Sequence, residues 1–217
     1  KGVVGKGGKV LFVGTKKQAQ VSIKETAEST GQPYVCERWL GGMMTNLNTI
    51  RKSIKRMVDL EKMESDGRMA EYVKQEQSML RRELNRLNIR LNGIRDLNTK
   101  PDAMFIVDIK REHNALAEAR RLRVPVVAIV DTNTDPTLVD YPIAGNDDAI
   151  RSIKVVLDAI AQPIIEARAA YDATSEKLKA EVDKKDQPSE DKEPAAAKDE
   201  VQTEVPTEAK VESETES

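Results

Sequence analysis

"PDAMFIVDIKREHNALAEARRLRVPVVAIVD", residues 101–131, sets the helical segment "EHNALAEARRL" between two apolar runs, Ala103 to Asp108 and Pro125 to Asp131. Neither run alternates apolar with polar residues, so each reads as a strand covered on both faces, the condition of a parallel sheet. The same alternation occurs earlier in the chain. "KVLFV" at residues 9–13 is followed by Gly14-Thr15, and then Ala19, Ile23 and Ala27 recur at helical intervals until Gly31 stops the helix. "PYVCER", from Pro33 to Arg38, is a further short β-like run, and "YPI" at Tyr141 to Ile143 adds a last one. The stretch that begins at Asn146 predicts a helix capped by that residue, with Asp147 and Asp148 in its first turn. Strands and helices in this order make a three-layer α/β domain from residues 1–48 and 99–172.

Residues 49–98 interrupt that order. Two helical arms, 49–66 and 69–97, flank "SDG" at Ser65 to Gly67. In the second arm Val73, Leu80, Leu84, Leu87, Leu91 and Ile94 fall in a 4-3 alternation, with Gln77 as its one polar member, and Ile50, Ile54, Met57 and Leu60 form the matching stripe of the first. Heptad spacing of this kind predicts an inserted antiparallel coiled-coil hairpin that buries both stripes.

Charge is unevenly spread over the 217 residues. Residues 1–172 carry 28 Lys and Arg against 23 Asp and Glu, while residues 173–217 carry 7 against 14. A basic body suggests a polyanionic partner. The acidic stretch from residue 173 has no aromatic and too little apolar surface to offset chain entropy, so it reads as a disordered tail. One cysteine, Cys36, and one histidine, His113, leave no disulfide and no zinc cluster, and point to a reducing compartment. No apolar run approaches the about 20 residues needed to span a bilayer.

Candidate chemistry is sparse. "GKGGK" precedes its strand, whereas a phosphate-binding loop follows one, so that motif fails. Gly14-Thr15-Lys16-Lys17 does follow a strand and start a helix, where free N–H groups and lysines suit a phosphate; an ordinary βα turn is the simpler reading. Asp108 and Asp131 end strands, where such folds place catalytic or metal-binding carboxylates, but turn capping accounts for them equally well. His113 has no nucleophile beside it, and Cys36 reads as a small buried hydrophobe. The hairpin cations are more informative. Arg51, Lys52, Lys55 and Arg56 crowd the first arm, and Arg82, Arg86 and Arg90 line one face of the second. Like charges at i, i+4, i+8 repel unless a partner such as a phosphate backbone neutralises them.

"FVGTKKQAQ", "RWLGGMMTNLNTIRKSI", the 101–136 stretch and "DYPIAGNDDAIRSI" resemble, in this order and spacing, the ribosomal protein S2 family of the bacterial small subunit, over about residues 9–165. The resemblance implies a Rossmann-like, flavodoxin-type domain with a protruding coiled coil, small-subunit ribosomal RNA as partner, and neighbouring small-subunit proteins including protein S1. It implies no enzymatic activity, cofactor, metal, membrane or small-molecule substrate, and a place in cytoplasmic bacterial ribosomes, with organellar ribosomes left open. It makes the tryptophan segment the junction of sheet and coiled coil: Trp39 packs, Gly41 and Gly42 permit the bend, and Arg38, Asn46 and Arg51 lie near RNA. With Lys16, Lys17, Lys52, Lys55, Arg56, Arg82, Arg86 and Arg90, these form the expected RNA-binding set. Three departures stand out. The family has a further helix and small hairpin, with Gly-His-Phe and Trp-Asn-Pro motifs, before the strand that starts here at Lys9. Ala144 also stands where the family has proline, and the acidic tail is not general to it. The alternative class is a small α/β protein that binds a nucleotide or sugar phosphate at Gly14 to Lys17.

Overall fold

A computed structural model describes residues 1–185, with side chains through residue 174. Five parallel strands, β1 (Val10–Val13), β2 (Tyr34–Val35), β3 (Ala103–Val107), β4 (Val126–Val130) and β5 (Tyr141–Ala144), lie in the order β2-β1-β3-β4-β5. This is the doubly wound order of flavodoxin-type folds, whose switch point falls between β1 and β3. Successive strands are joined by α1 (Lys17–Thr30), an insertion, α4 (His113–Leu122) and, between β4 and β5, a loop with a 3-10 turn at Pro136–Leu138; α5 (Ile150–Lys185) follows β5.

The apolar runs of β1, β3 and β4 are unbroken because each of these strands feeds two cores. On one face Phe12, Phe105, Val107 and Ile129 pack with Ala19, Ile23 and Ala27 of α1 and Ile153, Leu157 and Ile164 of α5. Phe12 and Phe105 sit opposite each other in the β1–β3 register with ring centroids 5.7 Å apart. On the other face Leu11, Val13, Met104, Ile106 and Ala128 pack with Ala115, Leu116 and Ala119 of α4. Strand entrances are tied by side chains: Gln32 accepts the N–H of Val10, Asp102 that of Lys9, and Asp140 that of Val126.

The insertion holds α2 (Leu47–Ser65) and α3 (Lys74–Leu91), with 3-10 turns at Arg68–Glu71 and Asn92–Ile94. Ile50, Ile54, Met57 and Leu60 are buried as expected, with Leu84, Leu91 and Ile94, while Leu80 and Leu87 pack at the margin. Both helices therefore share the α4-side core rather than a core of their own. Val73 departs from the expected seam: it is 70% exposed. The helix begins only at Lys74, with Val73 extended at its N-cap, so the side chain does not point along the apolar stripe. Two further expectations shift. Asp147 and Asp148 precede the first turn of α5, which starts at Ile150, although Asn146 does accept the N–H groups of Asp148 and Ala149. And α5 runs on to Lys185, past the expected start of the tail at residue 173. "ATSEKLKAEVDKK" is made mostly of good helix formers, and extending an existing helix avoids the cost of nucleation. The rest of the tail, residues 186–217, lies outside the described residues.

Candidate nucleic-acid interface and the carboxyl edge of the sheet

The carboxyl edge is where a doubly wound sheet ordinarily takes a ligand, and here it is occupied by the protein's own ion pairs. Gly14 leads from β1 into the turn, and a Cβ there would come within 2.2 Å of Ile23 Cδ1, so glycine serves close packing of α1 on the strand. The N–H and hydroxyl of Thr15 both donate to Oε1 of buried Glu112, and Arg111 Nε donates to the same hydroxyl. The Lys16 ammonium lies 2.7 Å from Asp147, 2.5 Å from Asp148 and 3.4 Å from Asp108. Burial alone would lower its pKa, but hydrogen bonds to Asp147 and Asp148 and the charges of Asp147 and Asp108 outweigh burial and hold it above the usual lysine value. Asp108 adopts a left-handed conformation, φ 65°, and accepts the N–H of Arg111, while Asp131 accepts the N–H of Thr132. Both strand-end aspartates thus shape turns, as capping predicts, but Asp108 also pairs with a lysine. An incoming phosphate would meet Asp108, Asp131, Asp147, Asp148 and Glu112 at this edge, and that argues against a nucleotide or sugar-phosphate site. Lys16 is engaged by three carboxylates of the protein itself, and Lys17 next to it is exposed.

The segment from Arg38 into α2 forms the junction. Trp39 is buried with Met43 and Met44 in the α4-side core. Gly42 has φ 84°, a conformation open to glycine at little cost, and its bend turns the chain toward α2. Gly41 has open space where a Cβ would lie, so the bend rests on Gly42 rather than on the pair. What holds the bend is Glu118 of α4. It accepts Trp39 Nε1 at 3.0 Å, the N–H groups of Gly42, Met44 and Thr45 at 2.8 to 3.0 Å, and the Thr45 hydroxyl. Desolvation pushes its pKa up, but the hydrogen bonds from Thr45, Trp39, Met44 and Gly42 outweigh that and lower it below the ordinary carboxylate value. No sequence signal marks Glu118, since a glutamate on the flank of an amphipathic helix looks like any solvated surface charge. Asn46 is exposed at the N-cap of α2, where its Oδ1 accepts the Thr49 hydroxyl rather than a backbone N–H. Arg38 is exposed and lines an open pocket with Trp39, Arg111 and Asn114.

His113 is exposed at the first turn of α4. Cys36 is half-buried, and burial together with the charge of Glu37 pushes its thiol up to about 12.

On the insertion, Arg51, Lys52, Lys55, Arg56, Arg82, Arg86 and Arg90 are all exposed. Arg56 pairs with Glu83 at 3.2 Å, which lifts its pKa chiefly through that hydrogen bond. Arg81 pairs with Glu64 and Arg95 with Glu61. Among the described residues no ion pair engages Arg51, Lys52, Lys55, Arg82, Arg86 or Arg90, and no helix is long and apolar enough to cross a membrane.

Fold and surface together define a doubly wound α/β protein whose usual ligand edge is internally paired and whose helical insertion carries a group of exposed cations that make no ion pair among the described residues. Residues 1–167 match the family described as "Ribosomal protein S2", and the chain belongs to that family. It is 56% identical over 162 residues to the "Small ribosomal subunit protein uS2" of Chlorobaculum parvum, covering 75% of this chain and 64% of that protein. It is 53% identical over 161 residues to the protein of the same name from Fusobacterium nucleatum, covering 74% and 65%, and 52% identical over 181 residues to that of Arthrobacter sp., covering 81% and 62%. The chain thus spans just under two thirds of the length of these relatives.

Proposed function

We propose that the protein is a non-catalytic structural constituent of the small ribosomal subunit in the bacterial cytoplasm. It binds small-subunit ribosomal RNA by phosphate contacts and sits against neighbouring ribosomal proteins, protein S1 among them. In this reading the insertion is an antiparallel coiled-coil arm, and Arg51, Lys52, Lys55, Arg82, Arg86 and Arg90, with Arg38, Asn46 and Lys17 toward its root, face the RNA. One observation carries it: acids on the insertion pair with Arg56, Arg68, Arg81 and Arg95, while Arg51, Lys52, Lys55, Arg82, Arg86 and Arg90 are exposed and make no ion pair among the described residues. A phosphate backbone supplies that charge without requiring base-specific contacts. The names of the relatives, all proteins of the small subunit, agree with it.

The full chain is expected to retain small-subunit ribosomal RNA in a filter-binding assay, with log K falling linearly against log salt. Absence of binding at moderate salt, or saturable heat on titration with nucleotides or sugar phosphates, would overturn the assignment.

A further inference from the structure

Phosphate contacts account for the arginines of α3 but not for the apolar side chains among them. Arg82, Arg86 and Arg90 share one face of the helix with Met79 and Ile89, all within an arc of about 100° at the helical period. Met79 is 63% and Ile89 53% exposed. An open groove along this face is lined by Met79, Leu80, Arg82, Glu83, Asn85 and Arg86. A face that mixes guanidinium with large apolar groups suits a partner that offers carboxylates and apolar side chains at a matching interval.

The chain itself carries such a partner. Residues 186–217 hold 11 Asp and Glu against 3 Lys. Within them Glu200, Glu204, Glu208, Glu212 and Glu216 recur at every fourth residue, the interval of the three arginines, and Val201, Val205 and Ala209 keep the same interval one place further on. We propose that residues 200–216 of this chain dock on the face of α3 that carries Arg82, Arg86 and Arg90. The glutamates supply the counter-charge, and Val201 and Val205 cover Met79 and Ile89. Reach is sufficient. Between Lys185, the end of α5, and Glu200 lie 14 residues, which span up to about 50 Å. A domain the size of residues 1–172 has a radius of gyration of only about 16 Å. Where RNA takes the same arginines, the segment and the RNA exclude each other, so the acidic stretch holds the face until RNA displaces it.

The test puts the photo-crosslinker p-benzoylphenylalanine in place of Met79 in the full chain, free of RNA, and maps the products by mass spectrometry. Cross-links to residues 200–216 are expected, in a yield that dilution of the protein leaves unchanged, as an intramolecular contact requires. Exposed charge pairs are individually weak, so each set is neutralised together, in one variant with R82Q, R86Q and R90Q and in another with E200Q, E204Q, E208Q, E212Q and E216Q. Both are expected to lower the yield at least about 3-fold, with the circular dichroism of the parent retained. Products confined to other parts of the chain, a yield unchanged in both variants, or a yield that falls on dilution, as docking of a second copy's segment would give, overturns the proposal. With no RNA present, the outcome is independent of the RNA reading, which the filter-binding assay tests by itself.

Discussion

Glu118 accepts five hydrogen bonds from the stretch between Trp39 and Thr45, three of them from backbone N–H groups that the bend would otherwise leave without partners. Replacing it by alanine strands those donors in a half-buried setting and is expected to cost about 1–3 kcal/mol of folding stability. Glutamine keeps one acceptor oxygen but turns an NH₂ toward the N–H groups on the other side, so it is expected to destabilise as well. The pH dependence follows from the sign of the shift. A carboxylate whose folded pKa lies below its ordinary 4.5 contributes stability that is complete above that value and is lost as pH falls through the folded pKa. The difference between parent and Glu118→Gln in urea denaturation should therefore be full near neutral pH and shrink below about pH 4.5. A difference that stays constant into the acid range would show that the carboxylate charge is not what holds the bend.

At the scale of elements, α3 separates its charges by role. Arg81 turns to Glu64 of α2, while Arg82, Arg86 and Arg90 stand exposed at one-turn intervals and make no ion pair among the described residues. If RNA neutralises the three, changing all of them to glutamine should weaken RNA binding and reduce the log-log salt slope by up to about 3, with helix content unchanged. A slope equal to that of the parent would mean that other groups make the phosphate contacts. The 4-3 repeat was legible because Leu84, Leu87 and Leu91 do fall toward the core. Its first position was not, since where a helix starts depends on backbone geometry at the cap, and Val73 at a helical spacing says nothing about whether the helix has yet begun.

For the whole molecule, the insertion is continuous with the sheet. Met57 and Leu60 of α2, Trp39 and Met43 of the junction, and Ile106 of β3 belong to one buried cluster. The sequence reading divides residues 49–98 from the α/β domain, but shared burial couples their stability. Far-UV circular dichroism and Trp39 fluorescence should report a single coincident denaturant transition. Loss of helical signal ahead of the fluorescence change would mean that the insertion melts by itself.

The layer architecture, the five strands and the two helical arms of the insertion could be derived from sequence alone, because two-sided burial imposes unbroken apolar runs and one-sided burial imposes helical spacing. Motif resemblance supplied the family. Tertiary structure alone decided the fate of charges. Lys16 and Arg82, Arg86 and Arg90 are the same kind of residue in a one-dimensional reading, and they differ because the carboxyl ends of β3 and β5 bring Asp108, Asp147 and Asp148 to Lys16, while among the described residues no ion pair engages the three arginines. Electrostatic partners are set by proximity in space, and residues 16 and 147 become neighbours only once the sheet has formed.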